Sequence, residues 1–87
     1  MIFIKTKDFD RAFLHLPIQI RKLCLVQEKR FLLNPRDPRL HIKKLKDLGG
    51  VFSFRITNKY RALFYFQNPI TVIFFEIDHR KDIYKGL

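Results

Sequence analysis

Between Val51 and Phe66 two runs of alternating apolar and polar residues meet at a tight turn, a pattern that predicts a β-hairpin. Side chains of a strand point to opposite faces with period two. Phe52, Phe54 and Ile56 therefore share an apolar face, and Val51, Ser53, Arg55 and Thr57 a mixed one. Thr57, Asn58 and Lys59 supply the turn, with Asn58 suited to the positive φ of a short hairpin loop, and the return strand begins at Tyr60 and Arg61. After a second turn at Gln67-Asn68-Pro69, the run from Ile70 to Ile77 is β-branched and aromatic on both faces, which predicts a central strand.

Ahead of the hairpin the period changes. Ile2, Phe3 and Ile4 read as a short buried strand, and Phe9, Ala12, Phe13 and Leu16 recur at helical spacing behind Asp8, which can cap that helix. Pro17 closes the first helix and opens a second that runs to about Leu33. Its apolar stripe is Ile20, Leu23, Cys24 and Phe31, joined by Leu25, Val26 and Leu32, while Arg21, Lys22, Glu28, Lys29 and Arg30 fall largely outside it. Asn34-Pro35-Arg36-Asp37-Pro38 breaks the helix, because each proline removes a donor and restrains the residue before it. Leu40, Ile42, Leu45 and Leu48 then alternate with Lys43, Lys44, Lys46 and Asp47, which fits either a short strand or a turn of helix, and Gly49-Gly50 frees the backbone to enter the hairpin. The elements sum to an α+β fold: an N-terminal strand, a helical hairpin and a three-stranded antiparallel meander, with the helices packed on one face of the sheet. The other face is left for function.

Composition narrows what that face can meet. The 87 residues, 47% hydrophobic and rich in Phe, are too apolar for disorder and suit one domain over residues 1–87. Eighteen Lys and Arg against eight Asp and Glu give a net charge of +10 and point to a polyanionic partner. Residues 36–61 hold eight of the basic side chains and two acidic ones, and because that segment reads mainly as loop and strand, nucleic acid is preferred over a membrane surface. A single cysteine, Cys24, excludes an internal disulfide and fits a reducing compartment. With no secretion signal at the N-terminus and no apolar run long enough to span a bilayer, the expected location is cytoplasmic.

Directly after the central strand, Asp78-His79-Arg80-Lys81-Asp82-Ile83-Tyr84 packs five ionisable side chains and a phenol into seven residues, a good place for a site. The three histidines, His15, His41 and His79, have no cysteine or carboxylate at ligand spacing, so no metal is expected. His15 and His41 are assigned to surface or packing roles, and Glu76 to balancing Arg61 or Arg80 across the sheet.

The helical hairpin, Asn34-Pro35 leading to Leu40 and Lys43-Lys44-Leu45, Phe52-Ser53-Phe54-Arg55-Ile56-Thr57 with Lys59-Tyr60-Arg61, and Asp78-His79-Arg80 with Ile83-Tyr84 together resemble the RelE/ParE superfamily of bacterial toxin–antitoxin toxins, in its RelE branch. The resemblance covers essentially the whole chain. It implies an mRNA interferase that enters the ribosomal A site and cuts the message there. The ribose 2′-hydroxyl acts as nucleophile, leaving a 2′,3′-cyclic phosphate and a 5′-hydroxyl, with no metal or other cofactor. It also implies a cognate antitoxin as partner. The family's basic pair on the strand entering the hairpin falls on Ser53 and Arg55, its next arginine on Arg61, its C-terminal arginine on Arg80 and its C-terminal tyrosine on Tyr84. Ser53 departs from the lysine common there, and Arg55 is a poor base because guanidinium hardly deprotonates. His79 is the expected proton carrier, with Lys46 a second candidate, and Lys43, Lys44, Lys46, Ser53, Lys59 and Lys81 are the expected RNA contacts. Two other readings share the fold: a ParE-like inhibitor of DNA gyrase, and an inactive relative that only binds RNA or antitoxin.

Overall fold

In the computed structural model, which describes residues 1–85, β1 (Ile2–Lys5) is followed by α1 (Lys7–Leu14) and α2 (Ile18–Leu33). A 3-10 turn (Pro38–Leu40) then leads into β2 (Lys43–Lys44), β3 (Val51–Arg55), β4 (Tyr60–Asn68) and β5 (Thr71–His79). One sheet holds all five strands in the order β1-β5-β4-β3-β2, with β1 parallel to β5 and every other pair antiparallel. The meander is therefore as expected, flanked on one side by the N-terminal strand and on the other by β2. The stretch whose alternation fitted strand or helix turn is a two-residue strand, Lys43 opposite Ser53 and Lys44 opposite Phe52.

Thr6, not Asp8, caps α1. Its amide still donates to Phe74 O (3.0 Å), continuing the strand direction, so residue 6 keeps extended backbone while its Oγ1 accepts from the Phe9 amide (3.1 Å). Asp8 instead lies in the first turn, where a carboxylate favours the helix dipole. Pro17 caps α2, its carbonyl accepting from the amides of Ile20 and Arg21. The helix stops at Asn34, whose side chain accepts from the Arg36 amide across Pro35.

The core face of α2 is not the stripe its leucines trace. Cys24 and Phe31 are buried as expected, but between them lie buried Gln27 and Glu28, whereas Leu23, Leu25, Val26 and Leu32 are exposed. Both polar groups are buried because the fold pairs them. Gln27 Nε2 donates to the carbonyls of Arg39 (2.9 Å) and Arg55 (2.6 Å), and Glu28 pairs with Lys5 at 2.9 Å. Burial first, then the nearby Glu28 carboxylate, pushes the Cys24 thiol up to about 12, which makes it a small hydrophobe rather than a nucleophile.

Around Phe31 the aromatic rings close the core. Phe3 stacks on Phe74 with centroids 4.4 Å apart, and Phe31 meets Phe64 edge-on at 5.2 Å and Phe74 at 5.9 Å. The register aligns Phe52, Phe64 and Phe74, and likewise Phe54, Ala62 and Ile77, on the helix-facing side. The intervening rows, Lys43-Ser53-Leu63-Glu76 and Arg55-Arg61-Asp78, must face the other way.

The loops set the edges of that open face. Between β3 and β4 the chain turns through Ile56–Lys59 without a left-handed residue: positive φ occurs at His41, Asp47 and Gly50, not at the Asn58 expected to take it. Four residues give the loop enough length to close by the Ile56 amide on Tyr60 O (3.0 Å) and the Lys59 amide on Thr57 Oγ1 (3.1 Å). Gly50, at φ 83°, is the residue that needs glycine's freedom on entry to β3. β4 runs through Gln67 and Asn68, which were expected in the turn, and Asn68 Oδ1 closes the bend by accepting from the Ile70 amide. Among the described residues, no helix is long and apolar enough to cross a membrane.

Candidate nucleic-acid interface

Three segments converge on the open face. Residues 41–43 follow the 3-10 turn, Ser53, Arg55 and Arg61 stand on the β3–β4 ribbon, and Arg80, Lys81 and Tyr84 belong to the turn after β5. Together they line an open groove of about 630 Å³. The C-terminal turn is fastened to the hairpin loop by the Arg80 amide on Lys59 O (2.6 Å), and its Ile83 is buried. A loop and a terminal turn are thereby held as one wall.

Five cations line the groove: Lys43, Arg55, Arg61, Arg80 and Lys81. Among the described residues no carboxylate lines it, and the ion pairs they form, Lys5–Glu28, Arg39–Asp37 and Lys85–Asp82, involve none of the five. Glu76, expected to balance Arg61 or Arg80, stands across from Leu63 and accepts from its neighbour Ile77's amide. Asp78 is opposite Arg61 in register, yet its Oδ1 accepts from the His79 amide.

Arg55 and Arg61 face each other directly across the ribbon. Arg61 Nη1 donates to the carbonyls of Thr57 (2.6 Å), Asn58 (3.1 Å) and Tyr60 (3.1 Å), so the guanidinium pins the hairpin loop from the groove side. Partial burial first, then the charge of Arg55, draws its pKa below the ordinary value; Arg80 adds in the same direction and Tyr84 opposes. Arg55 Nε is buried with no hydrogen-bond partner among the described residues. A buried donor left unpaired, beside like charges, is a place where an anion would be welcome.

Of the residues singled out from the sequence, Arg55, Arg61, Arg80 and Tyr84 come together, and so do Lys43, Ser53 and Lys81. Lys44, Lys46 and Lys59 are exposed but do not line the groove. His79 is also outside it, with its ring edge-on to Tyr60 at 5.3 Å and its Nδ1 accepting from the Lys81 amide. Tyr60 packs against the main core, so His79 is on the helix-facing side of the sheet. The imidazole that lines the groove is His41, which the sequence reading left to a surface or packing role. The available signal was its spacing two residues from Lys43 in an alternating stretch.

No family model matches the sequence, and no curated protein does. Among solved structures, the RelB–RelE antitoxin–toxin complex from Methanococcus jannaschii contains a chain 28% identical to this one. The match covers 97% of this chain and 98% of that one at a TM-score of 0.78. The chain is a RelE-like member of the toxin superfamily. A second RelE-like match, in the toxin–antitoxin complex RelBE2 from Mycobacterium tuberculosis, is also 28% identical, over 91% of this chain and 96% of that one, with a TM-score of 0.66. The YoeB/ParE toxin from Agrobacterium tumefaciens, at 14% identity over 92% and 99% of the two chains and a TM-score of 0.76, shares the RelE-like fold.

Proposed function

We propose that this RelE-like chain is the toxin of a toxin–antitoxin pair, and that it acts as a ribosome-dependent endoribonuclease on messenger RNA. The observation that carries the reading is the groove: among the described residues, five cations without a carboxylate, two of them arginines face to face, and one arginine donor buried and unpartnered. A scissile phosphate laid there gains a second negative charge as the 2′-oxygen attacks, and preorganised guanidinium groups stabilise charge that develops in the transition state. Arg55 and Arg61 hold the non-bridging oxygens, Arg80 and Lys81 the flanking backbone, and the half-exposed Tyr84 orients the ribose or stacks on a base. Lys43, directly across from Ser53, supplies an ammonium to the row in which the resemblance leads one to expect a lysine on β3.

The partner reading rests on a different surface. The outer side of α2 exposes Ile18, Leu25 and Leu32, seven residues apart and so along one side, with Lys22 and Lys29 beside them; Leu33, 87% exposed, ends the helix. An acidic amphipathic segment of an antitoxin fits that chemistry. A second copy of the same chain would bring lysine against lysine, and the solved relatives in M. jannaschii and M. tuberculosis are complexes with their antitoxins.

Primer extension on a reporter message in an in vitro translation reaction tests the enzyme reading. Cuts within the translated region that disappear when ribosomes are withheld are expected. An intact message contradicts the reading and moves the search to DNA supercoiling.

A further inference from the structure

The cations of the groove can stabilise charge, but none is suited to accept a proton at neutral pH: guanidinium stays protonated and an ordinary ammonium titrates near pH ~10. The phenol of Tyr84 belongs to a class that also holds its proton to about pH 10. Among the described residues no carboxylate lines the groove. Of those residues, one lining side chain belongs to a class that titrates near neutrality, the imidazole of His41.

We infer that His41 is the general base that takes the proton of the attacking 2′-hydroxyl, an assignment that rests on the ribonuclease reading above. Its backbone supports the role. His41 sits at φ 46° and ψ 50°, in the left-handed region that residues with side chains seldom enter. Its neighbours fix it there: its amide donates to Pro38 O (3.2 Å), Leu40 beside it is completely buried, and Arg39 O is held by Gln27 from α2. Such conformations persist where the surroundings over-determine them, and they cluster at functional sites. The same Gln27 amide bonds Arg55 O, so one buried side chain sets the 3-10 turn carrying His41 relative to the strand carrying Arg55.

The step balances with the imidazole and solvent water. The neutral imidazole takes the 2′-hydroxyl proton while the 2′-oxygen forms its bond to phosphorus. The bond from phosphorus to the 5′-oxygen breaks, and that oxygen leaves as a hydroxyl with a proton from water. The imidazolium then gives its proton to the resulting hydroxide, and nothing is oxidised or reduced.

Single-turnover cleavage of a ribosome-bound message, followed from about pH 5.5 to 8.5, tests the inference. His41→Asn and His41→Gly both accept the left-handed backbone, so they remove the ring and spare the turn. Wild-type cleavage is expected to rise with pH as an imidazole loses its proton and then level off; His41→Asn should cut at least about 100-fold more slowly and lose that limb. Added imidazole should restore part of the rate to His41→Gly, which a merely structural residue would not show. A His41→Asn rate within about threefold of wild type with the limb intact overturns the inference. Loss of the limb in His79→Gln, with retention in His41→Asn, overturns it too and moves the base to His79. A wild-type protein that cuts no message fails before any variant is compared, and it overturns the nuclease reading and this one with it.

Discussion

Arg61 donates through one guanidinium nitrogen to three carbonyls of the β3–β4 loop, while the residue also lines the groove. Removing it therefore does two things. Arg61→Ala is expected to lower unfolding stability by about 1–3 kcal/mol, since loop carbonyls lose a charged donor, and to reduce cleavage as well. Arg80 separates the two effects. Its side chain is exposed and its structural bond is made by the backbone amide, which alanine keeps. Arg80→Ala should leave the urea midpoint unchanged and slow cleavage about 10²-fold or more, read by primer extension. An Arg80→Ala protein that cuts at the wild-type rate would remove Arg80 from the phosphate site. His79 and Arg80 are neighbours in sequence, yet their roles diverge because successive residues of β5 face opposite sides: Asp78 shares the row of Arg55 and Arg61, so His79 must turn toward Tyr60. That parity was present in the sequence. What was not visible there was the register that ties it to the groove.

At the scale of elements, the hairpin was legible because Phe52 and Phe54 alternate with Ser53 and Arg55 and the fold buries the phenylalanines as the alternation requires. The helix α2 was less so. Its leucines suggested one stripe, whereas the buried side includes Gln27 and Glu28, whose burial depends on Lys5, Arg39 and Arg55 from three other segments. No local pattern reveals such partners. Gln27 consequently links stability to function. Gln27→Ala leaves the carbonyls of Arg39 and Arg55 without that donor, and about 1–3 kcal/mol of unfolding free energy should be lost in urea titration. Cleavage should fall further than the unfolded fraction explains, because the His41 turn and the Arg55 strand are no longer held together. A variant that loses stability but keeps full single-turnover activity when folded would show that Gln27 does not set the site.

For the whole molecule, the division of faces follows from charge and packing together. One side of the sheet collects the phenylalanine core against α1 and α2, and the other carries the guanidinium and ammonium groups of the groove, which no carboxylate among the described residues offsets there. A net charge of +10 predicted a polyanion but could not say which of the basic side chains would meet it. Lys44, Lys46 and Lys59 remain outside the groove, where they add to the general positive field that the proposed RNA substrate would meet. If the groove places a phosphate for attack by its own ribose, taking away that nucleophile must stop the cut. A ribosome-bound message carrying a single 2′-deoxy nucleotide immediately 5′ of the scissile phosphate should resist cleavage at that bond, while the all-ribose message is cut to a 2′,3′-cyclic phosphate and a 5′-hydroxyl. Equal cutting of both messages would contradict the account, because the attacking oxygen would then come from elsewhere.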